Sequence, residues 1–152
     1  MKRLLTSLLL IIITFNVFSR SGLDSLEITL KKTSSDTAKI IIMLNLADNL
    51  FFDDVTKSHE YFYKAKKLLK TVTFKNGTAY YYYINGLMNP NTPTMALESY
   101  NKSLRLYCEL KDRQGIAAVS LALGAMYVDQ SKENKGMPCY LTALRIFQSL
   151  ND

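Results

Sequence analysis

The amino-acid sequence predicts an all-α protein in which about three helix-turn-helix repeats follow a short leading helix. Apolar residues recur at the spacing i, i+3, i+4 and i+7 through most of the chain, which is typical of amphipathic helices. Small residues also recur at intervals of 38 to 40 residues, in two separate series. These series are Ala47, Gly86 and Gly124, and Ala65, Ser103 and Ala143. Because small side chains let two helices cross closely, the intervals predict a succession of similar helical hairpins.

Residues 1–19 have the layout of a secretory signal peptide. Lys2 and Arg3 form a basic head, residues 4–18 are almost wholly apolar, and Val17 and Ser19 are small enough to flank a cleavage point after Ser19. The apolar run is short for a membrane-spanning helix. We therefore expect an exported protein, periplasmic or extracellular. The alternative is an uncleaved N-terminal segment that anchors the protein in the membrane.

Residues 20–35 are predicted to form the leading helix and a cap, and residues 36–74 the first hairpin. Ser35 or Asp36 can cap the first helix of this hairpin, which we expect to run from Thr37 to about Phe52. Its partner helix should reach about Val72.

The second hairpin is predicted over residues 75–111. Its first helix, residues 78–88, contains four consecutive tyrosines, so a β-strand is the alternative on propensity alone. We prefer a helix because the chain offers no second strand for pairing. The turn should be restricted by Pro90 and Pro93, with a short first helix before it and a second helix that continues to Asp112.

The third hairpin, predicted over residues 112–150, carries the most specific pattern. Its small and aromatic positions are Gly124, Tyr127, Gly136, Tyr140 and Ala143. Pro138 is expected in the first turn of the second helix, where its missing N–H costs little. These five positions resemble the tetratricopeptide repeat (TPR), whose usual period is about 34 residues. The interval near 39 therefore resembles a long-period TPR array, which we expect over residues 36–152.

The TPR resemblance implies a solenoid whose concave face is lined by the first helix of each pair. Residues one position after each small residue, and about a turn before it, should point into that groove. The predicted binding face consists of Leu44, Asp48, Phe51, Tyr80, Tyr83, Leu87, Ala118, Leu121, Ala125 and Asp129. The function implied is a non-enzymatic protein-protein interaction module that binds a peptide or partner helix.

A second resemblance is to the extracytoplasmic TPR region of bacterial sensor histidine kinases. The signal peptide, the motif LDSL in the leading helix and the helix start DTAK carry it. In that hypothesis the chain is a truncated N-terminal sensory region of a membrane-bound signal-transduction protein. We also expect Leu141, Leu144 and Phe147 to lack a covering helix. A longer architecture or self-association through the C-terminal repeat would cover them.

Charge and residue types disfavour other classes of function. The net charge of +6 falls to about +4 without Lys2 and Arg3, because seventeen basic residues then face thirteen acidic ones, and the charges are interspersed. We therefore expect no nucleic-acid partner. With His59 as the single histidine and no Gly-rich phosphate loop, we expect no catalytic, metal or cofactor site. Cys108 and Cys139 are expected to be free and mostly buried.

Overall fold

The computed structural model describes residues 22–151, in which seven α-helices and no β-strand occur. The helices are α1 (22–32), α2 (Asp36–Asn49), α3 (Val55–Leu69), α4 (Lys75–Leu87), α5 (Pro93–Leu110), α6 (Arg113–Asp129) and α7 (Glu133–Asn151). The prediction of an all-α protein is confirmed for this part of the chain. The predicted signal peptide, residues 1–19, lies outside the described residues.

Three helical hairpins succeed one another along the chain. The most extensive helix contacts are α2 with α3, α4 with α5, and α6 with α7. The first helices begin at Asp36, Lys75 and Arg113, and the second helices begin at Val55, Pro93 and Glu133. The intervals are 39 and 38 residues for the first helices, and 38 and 40 for the second. The helix starts therefore recur with the same period as the small residues in the sequence.

Close helix crossings explain why those positions are small. A Cβ atom added at Gly86 would lie 2.4 Å from the ring of Tyr100, and one added at Gly124 would lie 2.7 Å from the ring of Tyr140. Both distances are well inside van der Waals contact, so an aromatic ring of the second helix occupies the space beside each glycine. In α7, a Cβ at Gly136 would lie 2.9 Å from the carbonyl oxygen of Gly124.

Capping groups set the helix boundaries. Ser35, one of the two predicted caps, accepts a hydrogen bond from the backbone N–H of Ala38 at the start of α2. At the junction of α5 and α6, Lys111 adopts a left-handed conformation with φ 57°, and the Asp112 carboxylate accepts from the N–H of Gly115. This local geometry ends α5 at Leu110, two residues before its predicted end.

The tyrosine-rich segment is helical, as predicted, because its rings pack against neighbouring helices. In α4, the ring of Tyr81 stacks on Phe62 of α3 with centroids 5.0 Å apart and an interplanar angle of 11°. At 13 residues, α4 is the shortest of helices α2 to α7, and Pro93 is the first residue of α5. The short helix and the proline-bounded turn agree with the sequence prediction.

Pro138 does not lie where the sequence predicted. Because α7 begins at Glu133, Pro138 is the sixth helical residue and falls in the second turn. The Asn134 carbonyl therefore loses its hydrogen-bond donor four residues on. The polar residues Glu133, Asn134 and Lys135 are typical of a turn, but in the structure they form the first turn of α7. The helix therefore starts earlier than the sequence indicated.

The burial prediction for Cys108 is wrong. Both cysteines are free, but Cys108 is exposed and Cys139 is only half-buried. The neighbouring residue Tyr107 takes the buried direction on α5, and Cys108 points about 100° away from it around the helix.

Two apolar clusters form the core. The first joins α2, α3 and α4 around Ile40, Ala47, Phe62 and Ile84, and the second joins α4, α5 and α6. Tyr83 packs against both clusters and so links them. Within residues 22–151, none of the helices combines the length and hydropathy needed to cross a membrane.

Candidate binding surface

The helix contacts distinguish two sides of the molecule. The first helices of neighbouring hairpins touch, α2 with α4 and α4 with α6. Among the described residues, no Cα atom of α3 lies within 8 Å of one in α5, and the same holds for α5 and α7. The hairpins therefore approach one another more closely on the side formed by α2, α4 and α6. We call this side the inner side, and all ten residues of the predicted binding face lie on its three helices or, for Phe51, directly after α2.

Burial along the inner side changes from hairpin to hairpin. Leu44, Tyr83 and Leu121 occupy the same position in successive repeats, 39 and 38 residues apart. Leu44 is fully buried, Tyr83 is half-buried and Leu121 is 48% exposed. The reason is that each first helix is covered by the next one, and no described helix follows α6 in that way. Leu44 therefore supports the surface from beneath, because it has no exposed area for a ligand.

The other predicted residues are accessible to differing degrees. Ala125 and Asp129 are exposed near the end of α6. The half-buried members are Asp48, Phe51, Tyr80, Leu87 and Ala118. Two chemically different parts result. One is a half-buried carboxylate with tyrosines between α2 and α4, and the other is a mainly apolar part on α6, with Leu121 and Ala125 exposed and Asp129 at its end.

The structure brings Asp48 together with Tyr80. The Tyr80 hydroxyl lies 3.2 Å from Asp48 Oδ2 and 2.8 Å from Asn45 Oδ1, and it shares its single proton between these two acceptors. The rings of Tyr80 and Tyr83 stack with centroids 6.1 Å apart. Sequence reasoning missed Asn45, although its spacing of three residues from Asp48 places both on one face of α2.

Tyr100 is a second residue that the sequence analysis did not assign to this surface. Its ring centroid lies 6.4 Å from that of Tyr83, while its edge fills the space beside Gly86. Tyr100 therefore connects the hairpin crossing of α4 and α5 to the tyrosines on the inner side.

Burial changes the acid-base properties of this cluster. Desolvation raises the pKa of the Asp48 carboxyl above its ordinary value of 3.8, and the hydrogen bond from Tyr80 offsets part of that rise. Burial and the charge of Asp48 raise the pKa of Tyr83 to about 12. The same two causes, in the same order, raise the pKa of Tyr80. Both hydroxyls therefore remain protonated at neutral pH and can act as hydrogen-bond donors.

Replacing Asp48 by asparagine is expected to raise the melting temperature at neutral pH. The asparagine side chain would still accept from Tyr80 but would carry no desolvated charge. Because the folded-state pKa is raised, the folded chain binds the proton more tightly than the unfolded chain. The stability that this proton binding provides is present at low pH and is lost as the pH rises from the unfolded-state pKa through the folded-state pKa. Thermal melts of both proteins between about pH 3 and about pH 7 would measure the difference.

The melting temperatures of the two proteins should become equal at the acidic end of the pH range. There the Asp48 carboxyl of the wild type is protonated in both the folded and the unfolded chain. A variant that is less stable than the wild type at neutral pH would show instead that the ionised carboxylate stabilises the fold.

An apolar face on α7 is uncovered, as expected from the sequence. Leu141, Leu144 and Phe147 are all exposed. Their counterparts forty residues earlier include Leu104 and Tyr107, which pack in the second core cluster with residues of α6. Leu144 and Phe147 thus occupy positions that are covered by a following helix in the preceding hairpin, whereas the counterpart of Leu141 is the exposed Asn101.

Within residues 22–151, no group of three or more His, Cys, Asp or Glu side chains is arranged to hold a metal ion. His59 lies on α3, beside Tyr63, with ring centroids 6.3 Å apart. In comparisons with known proteins, neither a protein-family model nor a curated protein matches this chain.

Proposed function

We propose that this protein is a non-enzymatic interaction module built from long-period TPR-like hairpins, with an inner side that binds an extended peptide or a partner helix. Three hairpins whose helix starts recur at 38 to 40 residues support the repeat assignment. The contacts between neighbouring first helices support a curved stack with the inner side concave, because neighbouring second helices lack such contacts and are spread further apart.

The observation that carries this proposal is the composition of the accessible inner side. Tyr80 and Tyr83 present half-buried aromatic rings with polar tips, and Leu121 and Ala125 extend the surface with exposed apolar area. Tyrosine is favoured in protein interfaces because it combines a large rigid contact area with a hydroxyl group. The surface thus suits a protein or peptide partner. Interspersed surface charges give no support for a nucleic-acid partner.

We further propose that the protein acts outside the cytoplasm, on the basis of the composition of residues 1–19. Cleavage after Ser19 would release it, and an uncleaved segment would leave it anchored to the membrane. Fractionation of cells that express the full chain, followed by N-terminal sequencing, tests both forms.

A second candidate function is the sensory region of a membrane-bound signal-transduction protein such as a histidine kinase. The exposed face of α7 favours it, because a further hairpin packed there would bury Leu141, Leu144 and Phe147. The reading frame beyond Asp152 in the genome tests this candidate. A membrane segment followed by a kinase domain would support it, and an immediate stop codon would contradict it.

Binding to the inner side can be tested with two matched variants. Leu121 on the inner side and Leu144 on α7 are 48% and 51% exposed, so glutamate should be tolerated by the fold at either position. Peptides would be selected from a random displayed library on the full chain, and their affinities measured by fluorescence polarisation. We expect Leu121→Glu to weaken binding at least about tenfold, because burying a charge in an apolar contact costs more than about 1.4 kcal/mol.

Leu144→Glu serves as the control and should leave the affinity unchanged. The opposite pattern, with binding lost in Leu144→Glu and kept in Leu121→Glu, would assign ligand binding to the α7 face and contradict the proposed function.

A further inference from the structure

We propose that the cluster of Asp48, Tyr80 and Tyr83 is a subsite for a cationic side chain of the partner, and that arginine is the residue it takes. This inference rests on the proposed function of the inner side and specifies which chemistry that side recognises. The cluster joins the first two hairpins, since Asp48 lies on α2 and both tyrosines lie on α4.

Asp48 has no cationic partner among the described residues. The ion pairs in this part of the chain involve other carboxylates, and none includes Asp48. The net charge of the chain is nevertheless +6, so basic residues are plentiful on its surface. A half-buried carboxylate that lacks an ion pair in a basic protein is available to a cation from outside.

One carboxylate oxygen of Asp48 reaches solvent. Oδ2 shares the proton of the Tyr80 hydroxyl with Asn45, and no other described side-chain donor contacts the carboxylate. No buried side-chain oxygen or nitrogen among the described residues lacks a hydrogen-bond partner. Oδ1 has no partner within residues 22–151, so it must reach solvent and can accept a hydrogen bond from a ligand.

Two aromatic rings belong to the same cluster as Asp48. Tyr80 and Tyr83 stack at 6.1 Å with an interplanar angle of 23°, and the hydroxyl of Tyr80 lies 3.2 Å from Asp48 Oδ2. A guanidinium group can donate to a carboxylate and stack on an aromatic ring at the same time, and it is more weakly hydrated than an ammonium group. These properties favour arginine over lysine. A metal ion is disfavoured because the cluster supplies a single carboxylate.

The repeat register locates the subsite at one end of the inner side. The positions equivalent to Asp48 are Leu87 in the second hairpin and Ala125 in the third, and neither is charged. The half-buried carboxylate of the inner side therefore belongs to the first hairpin. The third hairpin has the exposed apolar side chains of Leu121 and Ala125, with the exposed carboxylate of Asp129 at the end of α6. A partner segment should thus carry an arginine at one end and apolar residues at the other.

The test uses N-acetyl-arginine amide as the probe, with N-acetyl-citrulline amide as its uncharged analogue of nearly the same shape. Each is titrated into the ¹⁵N-labelled full chain and followed by NMR. We expect saturable chemical-shift changes at the backbone amides of Asp48, Tyr80 and Tyr83 with the arginine probe. The citrulline probe should bind at least about tenfold more weakly, because it cannot form the charged hydrogen bond.

Two variants make the assignment specific. Asp48→Asn should abolish the saturable shifts while keeping a folded spectrum. Asp53→Asn removes an exposed carboxylate in the following turn and should leave binding unchanged. Equal binding of the arginine probe to Asp48→Asn, or equal binding of both probes to the wild type, would overturn the subsite.

Failure of the subsite can be separated from failure of the proposed function. If the selected peptides bind through Leu121 and yet contain no arginine at a fixed position, the interaction surface stands and the subsite is refuted. Loss of Leu121 dependence would contradict the interaction surface, while the comparison of arginine and citrulline would still decide whether Asp48 binds a cation.

Discussion

Gly124→Leu is expected to destabilise the chain by more than about 3 kcal/mol, which corresponds to a fall in melting temperature of roughly 10 °C for a domain of this size. Even a Cβ atom at this position would lie 2.7 Å from the ring of Tyr140, and the longer leucine side chain would enter the same space. Overpacking a core typically costs about 1–3 kcal/mol. The higher helix propensity of leucine stabilises the helix by less than about 1 kcal/mol. The steric clash is larger, so the substitution destabilises the fold overall.

Gly22→Ala provides the matched control for this substitution. It is also a helical glycine, but a Cβ atom there would meet no atom of the described residues within 4 Å, apart from its chain neighbours and its own helix backbone. Alanine at this position should therefore leave the melting temperature unchanged or raise it slightly. Equal melting temperatures for the wild type and Gly124→Leu would show that Gly124 is not at a close crossing.

A double-mutant cycle identifies the group that is overpacked. Tyr140→Ala alone should destabilise by removing a packed ring, but it also vacates the space that the introduced leucine side chain would need. The loss in the double variant Gly124→Leu/Tyr140→Ala should thus be smaller than the two single losses combined. Strict additivity would mean that Tyr140 is not the residue that excludes a larger side chain.

Adding a designed helix after Asp152, with apolar residues aimed at the α7 face, is expected to raise the stability by a few kcal/mol. Leu141, Leu144 and Phe147 are exposed, and covering a half-exposed side chain of this size contributes about 1 kcal/mol at roughly 25 cal/mol per Å². Ordering the new helix opposes part of this gain. The appended protein should also be a cleaner monomer by light scattering, because uncovered apolar faces promote self-association.

The control for the added helix carries serine or glutamine in place of its apolar residues. The control variant should have the melting temperature of the wild type and should associate to the same extent as the wild type. If the wild type is already a stable monomer that gains nothing from the apolar version, the α7 face does not require a cover.

The sequence was sufficient for the secondary structure of the hairpins because their helices repeat one pattern. Helical spacing of apolar residues predicted α2 to α7, and the absence of a second strand excluded the strand alternative for the tyrosine segment. The errors lie at helix ends. The left-handed Lys111 shortened α5, and the early start of α7 moved Pro138 into the second turn. Local backbone geometry determines where a helix begins and ends, and the spacing of apolar side chains carries no information about that geometry.

The accessibility of the side chains on the inner side depended on the tertiary structure more than the secondary structure did. Repeat register alone determined that Leu44, Tyr83 and Leu121 are equivalent, but it could not determine that one is buried, one half-buried and one exposed. That gradient arises because each first helix is covered by the next, which is a contact between distant segments. The same contact brings Tyr80 to Asp48 across 32 residues and leaves the carboxylate without a cation among the described residues. The sequence thus determined the repeated helices and their small crossing residues, whereas packing between hairpins decided which side chains remain free to meet a partner.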